Sequence, residues 1–275
     1  MRPVVWEEHL RTTAVVLALS LALLATGCGV TLDRGDGPPE GSVDVSSVPD
    51  AVPRPEAHSR YGNMRSYVVK GQRYYTLKSS QGFRERGIAS WYGKKFHGRR
   101  TSTQEVYDMY AMTAAHKSLP LPTYVEVTNL KNRRRVIVRV NDRGPFYANR
   151  VIDLSYAAAY RLGIIKAGTG LVEIRALDPS APIQATVPPI EEVPVSVPAR
   201  LYLQVGAFAE LVNAKRLSQR LKAMTEFVVQ ISELGEAGRT LYRVRLGPFD
   251  RVEQIDRLTR LLAQVGIDGV RAVVE

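Results

Sequence analysis

The strongest constraint on the fold is an internal near-repeat. YLQVGAF at 202–208 is echoed by YRVRLGPF at 242–249, and a helical apolar pattern follows each. In the first helix Leu211, Ala214, Leu217 and Leu221 share a face; in the second, Ile255, Leu258, Leu262 and Val265 do. With 227–231 and 269–274 as outer strands, the order is βαββαβ: a four-stranded antiparallel sheet backed by two helices. Strand alternation turns Leu201, Leu203, Val205, Tyr242, Val244 and Leu246 toward those helices. Tyr202, Gln204, Arg243 and Arg245 are then expected on an open face, either a polymer-binding surface or a face kept soluble by charge.

A proline-rich stretch at 178–198 separates this module from an earlier one at 84–178. There, short β-branched segments at 87–92, 124–128, 135–140 and 171–177 read as strands. The run VRVNDRGP at 138–145 ends one of them: Gly144 tolerates positive φ and Pro145 has no amide to donate, so the chain turns and leaves Asp142 at a strand end. Its plain reading is a turn-forming Asp that caps its own backbone. A short helix at 156–162 has Ser155 to cap it and Gly163 to stop it. Strands and short crossovers in so few residues suggest a small closed β-barrel. The basic loop at 131–135 reads as a solvated hairpin tip.

The N-terminus reads as an export signal. Residues 12–25 form an apolar run of signal-peptide length, and LATGC at 24–28 resembles a lipobox, although Ala25 stands where Leu is usual and Glu7 and Glu8 dilute the positive charge. Cys28 is the only cysteine, which rules out a disulfide within one chain and suits lipidation. In signals of this kind, Gly29 after the cysteine implies transfer to the outer membrane. The organisation expected is therefore a signal peptide at 1–27, a disordered tether and extended strap at 28–83, a barrel at 84–178, a linker at 179–198 and the repeat module at 199–275. The net charge of +11 is concentrated in the barrel, with 17 Lys/Arg against 8 Asp/Glu, and favours an anionic partner. His9, His58, His97 and His116 show no zinc spacing, no glycine-rich phosphate loop follows a strand, and no cofactor is implied. Nucleic acid is disfavoured because the central strands of the last module lack an aromatic stacking set.

Taken together, GIASWYG at 87, FHGRRT at 96, EVYDM at 105, TAAHKSLP at 113, VEVTNL at 125, VRVNDRGPF at 138 and IDLSYAAA at 152 resemble the rare lipoprotein A (RlpA) family. The tail resembles a sporulation-related repeat (SPOR) domain. The resemblance implies a six-stranded double-psi β-barrel plus a separate α+β SPOR domain, the barrel being shared with expansins and some lytic transglycosylases. It implies an outer-membrane lipoprotein that cuts peptide-stripped glycan strands at the division septum, leaving 1,6-anhydromuramic ends, in the company of divisome proteins. The family's functional acids fall on Glu105 and Asp142, with His116 beside them. Asp142 is the acid/base on this reading, which requires burial or a like charge from Glu105 to keep it protonated. Glu105 orients sugar or stabilises developing positive charge, and His116 hydrogen-bonds a carboxylate or a substrate hydroxyl. The family usually has Ala-Asn-Gly before its Glu, where this chain has Ser102-Thr103-Gln104, so the backbone path presenting Glu105 is expected to change. The alternatives are a non-catalytic septal wall binder and a structural tether that recruits partners.

Overall fold

The computed structural model describes residues 36–41, 43–180, 199–236 and 239–275. The apolar run at 12–25, the lipobox with Cys28 and most of the proline-rich linker lie outside them.

A small hairpin, β1 (Ser66–Val69) and β2 (Gln72–Tyr75), precedes the barrel. The barrel strands are β3 (Arg84–Trp91), β4 (Thr113–His116), β5 (Thr123–Asn129), β6 (Arg135–Asp142), β7 (Arg150–Leu154) and β8 (Gly170–Ala176), closed in the order β3-β7-β4-β6-β5-β8. Two of the pairings, β3 with β7 and β4 with β6, are parallel, and the other four are antiparallel. Alternation fills the interior with β-branched and apolar residues: Val136, Val138 and Val140 of β6 pack with Val125, Val127, Ile152, Leu154, Val172 and Ile174, all essentially inaccessible. Helix α1 (Tyr156–Leu162) starts where Ser155 Oγ accepts from the Ala158 N–H and stops at Gly163, whose φ of 78° is left-handed.

The second module contains β9 (Leu201–Phe208), α2 (Leu211–Met224), β10 (Val229–Glu236), β11 (Arg239–Phe249), α3 (Val252–Gln264) and β12 (Arg271–Val274). Its antiparallel sheet runs β10-β11-β9-β12, as the near-repeat implied. Leu201, Leu203, Val205, Val244 and Leu246 meet Ala214, Leu221, Ile255, Leu258 and Leu262 in one core. The helix faces differ at their ends, where Leu211 and Val265 are exposed.

Two expectations are corrected. Residues expected to tether the barrel as a disordered chain, from 36 onward, instead lie along it. Val45 is 1% exposed in the barrel core, the Ala51 and Ser59 N–H groups donate to the Ile137 and Leu121 carbonyls, and Asn63 bonds both sides of Leu121. Backbone carbonyls on the barrel accept from a segment too poor in apolar residues to build a core of its own. Second, Tyr202, Gln204 and Arg245 are buried and Arg243 is half-buried, so the face expected to be open is covered. Arg245 lies over the Tyr202 ring and pairs with Glu275 at 2.7 Å, which folds that face onto itself.

The two modules touch. Arg150 makes a bidentate bond to Asp256 of α3, at 3.1 and 2.5 Å, and Asn149 bonds Thr259 and the Ala272 N–H, each at 2.9 Å. That second bond satisfies a donor on the free edge of β12. Ile88 of the barrel is buried in the core of the C-terminal module.

Candidate active site

Asp142 stands at the end of β6, where a register irregularity beside Ala114 and Ala115 brings it level with Ala115 of β4. Its Oδ1 accepts three bonds: from the Ser102 N–H at 2.7 Å, the Ser102 hydroxyl at 2.6 Å and the Arg143 N–H at 2.7 Å. Asp142 therefore does more than cap its own turn, because it pins the loop that carries Glu105. That loop is closed on itself: the Thr101 N–H bonds the Glu105 carbonyl at 2.8 Å and the Gln104 N–H bonds the Thr101 carbonyl at 2.9 Å. Gln104 adopts a φ of 71°, the left-handed conformation that glycine adopts most readily. The loop thus takes a left-handed turn at a residue other than glycine. Gly62 braces the loop from outside, since a Cβ there would lie 3.0 Å from the Ser102 carbonyl oxygen and from Leu121.

Arg139 and Asn141, both on β6, hold the Glu105 carboxylate. Arg139 Nη1 reaches its oxygens at 2.7 and 3.0 Å, and Asn141 Nδ2 is at 2.7 Å. Burial alone raises the Glu105 pKa, but these donors outweigh it and hold the carboxyl below its ordinary value. Its side chain is still 42% exposed, so the carboxylate is ionised and open to a ligand. The other side of Arg139 binds Glu56, at 3.1 and 2.7 Å, and that bond brings Glu56 down to about 2. Glu56 escaped the sequence reading because it lies in a Pro-rich run with no periodicity. Arg139 thus sets its guanidinium between the carboxylates of Glu56 and Glu105.

His116 faces away from both acids. It is 2% exposed, its Nδ1 accepts from the Ser118 and Leu119 N–H groups at 3.2 and 3.1 Å, and its Nε2 meets Glu85 at 3.3 Å. Two acceptor bonds at Nδ1 fix the proton on Nε2. Burial lowers its pKa, against the pull of Glu85. The histidine orders the 117–119 turn, and the carboxylate it bonds is Glu85. Arg143 completes that turn, bonding the Gly62, His116 and Leu119 carbonyls.

A further carboxyl stands in the same row. Ala115 pairs with Asp142 on one side and with Asp153 of β7 on the other, and Asp153 pairs with Ser90 of β3. Ser90 donates its hydroxyl to Asp153. Burial, the largest influence, pushes Asp153 up to about 6, although Ser90, Arg150 and Lys117 oppose it. In the sequence, IDLS reads as a helix entry, which hides an outward-facing strand residue; the alternation of Ile152 and Leu154 around it was the available signal.

Comparison with known proteins places the two modules. Residues 84–174 match the family described as lytic transglycolase, and 198–272 match the SPOR domain. The endolytic peptidoglycan transglycosylase RlpA of Pseudomonas aeruginosa (strain UCBPP-PA14) is 41% identical over 272 residues, covering 81% of this chain and 79% of that protein. The protein of the same description from Vibrio cholerae is 39% identical over 261 residues, covering 93% and 95%. Among solved structures, the RlpA SPOR domain from Pseudomonas aeruginosa is 34% identical, covering 26% of this chain and 96% of that one, with a TM-score of 0.26.

Proposed function

The chain belongs to the RlpA family, and on that premise we propose that it is an endolytic lytic transglycosylase acting on the glycan strands of peptidoglycan. The observation that carries the reading is the pairing of a strand-end carboxylate, Asp142, with the loop that presents Glu105. Cleavage without water requires a proton for the bridging oxygen and a base for the muramic C6 hydroxyl, which closes onto C1. Asp142 serves both steps as the acid/base: in its protonated form it gives the proton to the bridging oxygen as the C1–O bond breaks, and the resulting carboxylate takes the proton of the C6 hydroxyl as that oxygen bonds to C1. Glu105, ionised and accessible, stabilises the positive charge that develops at C1. His116 and Arg143 hold the turn behind the site.

The SPOR module holds the strand near the barrel. Gln204 Oε1, Arg243 Nε and the Nε and Nη2 of Arg245 are buried and lack hydrogen-bond partners among the described residues, and sugar hydroxyls would satisfy them once the face is uncovered. We assign the substrate as peptide-stripped glycan at the division septum, with Cys28 anchoring the protein to the outer membrane from its periplasmic side and divisome proteins as neighbours.

Mass spectrometry of peptide-free glycan incubated with the protein tests this. The expected products carry 1,6-anhydromuramic ends and disappear with Asp142→Asn. Reducing ends would mean hydrolysis, and no cleavage by the wild type would leave a non-catalytic wall binder. Gln204→Ala with Arg245→Ala weakens retention on denuded sacculi, and unchanged retention removes this face from the assignment.

A further inference from the structure

We propose that the hairpin β1–β2 and the turn after Asp142 build an aromatic subsite, on Tyr74 and Phe146, that stacks a pyranose ring of the glycan beside the linkage to be cut. The subsite rests on the transglycosylase reading above. Its first half, the hairpin at 66–75, lies outside the segment 84–174 that matches the lytic transglycolase family.

A two-stranded hairpin this short does not hold itself in water, so the barrel must fix it in place. Lys70 and Gly71, at φ 50° and 79°, make its tight turn. Tyr67 is the anchor: its hydroxyl donates to the Lys117 carbonyl at 2.7 Å, and the Arg143 guanidinium lies 5.9 Å from its ring centre. The Leu77 N–H, just past the hairpin, donates to the Ser118 carbonyl at 2.7 Å. Tyr74, the cross-strand partner of Tyr67, stacks on it with ring centres 5.4 Å apart, and Phe146 meets Tyr74 at 5.5 Å and 56°. Tyr74 and Phe146 are both half-buried, and the Tyr74 hydroxyl makes no hydrogen bond among the described residues. The anchor is thus complete without them, and part of each ring stays open to a ligand.

Position ties these rings to the chemistry. Four residues of chain reach at most about 14 Å, so Phe146 is no more than a few sugar rings from Asp142. Gly144 lies against β4, where a Cβ would be 3.7 Å from Ala115 Cβ, and the turn held down there carries Phe146 to the hairpin. Burial, foremost, raises the Tyr67 phenol and Asp142 adds to the rise, so that carboxylate is within electrostatic reach of the cluster. A pyranose presents C–H bonds on its faces and hydroxyls round its rim. The two tilted rings offer the apolar face a trough, while Tyr74 Oη and the exposed Gln72, on the same side of β2, offer the rim hydrogen bonds. A sugar seated there orients the strand toward an acid that the Ser102 loop already holds in place.

The test titrates the full chain carrying Asp142→Asn with peptide-free glycan fragments while NMR follows the ring signals of isotope-labelled Tyr and Phe. Tyr74→Phe and Phe146→Leu identify the two signals. Both are expected to shift. Unshifted rings, with fragments that the wild type cleaves, overturn the subsite and leave the transglycosylase reading standing. Shifted rings without anhydro products from the wild type keep the subsite as a glycan site and remove that reading alone; neither shift nor cleavage removes both. In the otherwise wild-type chain, Tyr74→Ala raises KM by about 3- to 10-fold, and Tyr74→Phe recovers most of the loss. Tyr75→Ser, on the exposed outer face of the same hairpin, leaves KM where it was. An unmoved KM in Tyr74→Ala, or an equal rise in Tyr75→Ser, reduces the cluster to a hairpin anchor and overturns the proposal. Should Tyr74→Ala fail to fold, the NMR titration decides.

Discussion

Removing the guanidinium of Arg139 separates the electrostatic part of this site from its packing. Arg139→Met keeps most of the aliphatic stem and deletes four charge-assisted bonds, two to Glu56 and two to Glu105. Glu56 is then left with the exposed Arg54, at 3.2 Å, and Glu105 with the Asn141 amide. Glu56 falls from 4.5 to about 2 in the folded protein, with the Arg139 bond as the largest cause. Taken alone the shift corresponds to about 3 kcal/mol, which partial exposure of the cluster reduces to roughly 2 kcal/mol. The pKa is depressed on folding, so this stability is fully present above about pH 4.5 and is lost as pH falls through about 2. Urea denaturation should show Arg139→Met destabilised by about 2 kcal/mol near neutral pH and by about half that near pH 3. An equal loss at both pH values would mean that Arg139 acts by packing alone, and a loss below about 0.5 kcal/mol would refute the clamp.

Further outcomes follow from other contacts. Gln104→Gly relieves the left-handed strain at φ 71° against the greater entropy of an unfolded glycine, so stability changes by less than about 1 kcal/mol, whereas Gln104→Val costs about 1–2 kcal/mol in thermal melts and weakens cleavage by misplacing Glu105. His116→Ala leaves the Ser118 and Leu119 N–H groups without their acceptor and lowers stability by about 2 kcal/mol, while the rate per folded molecule drops less than 10-fold; a loss as large as that of Asp142→Asn would give the imidazole a direct part in catalysis. Arg150→Glu releases the SPOR module from the barrel, seen as a larger radius in small-angle scattering, and Asp256→Arg in the same chain restores the compact form.

What could be read from the sequence was what repeats with a period. The βαββαβ module followed from alternation in two matched strands, and the barrel interior from β-branched runs such as Val136, Val138 and Val140. Ser155 and Gly163 were legible as helix caps because cap chemistry is local. The strap from residue 36 was not legible, since one buried valine, Val45, in a run of Pro, Ser and Asp carries no periodic signal and its backbone partners are on the barrel. The same holds for Glu56, which meets Arg139 from 83 residues away.

Arg150 connects the SPOR module to the Asp153 carboxyl of the barrel. Its guanidinium binds Asp256 of the SPOR module, its carbonyl accepts Lys117 Nζ at 2.6 Å, and its charge lowers the pKa of Asp153. When Asp256 is bound, part of that charge is matched by a carboxylate outside the barrel. Arg150→Met therefore removes a positive charge facing Asp153, and that carboxyl holds its proton to higher pH. Asp256→Asn leaves the arginine charge uncompensated and moves the Asp153 titration downward. Followed by carboxyl carbon NMR at low salt, opposite displacements by the two variants show that SPOR docking tunes this carboxyl. Displacement in the same direction, or none, confines Arg150 to holding the modules together.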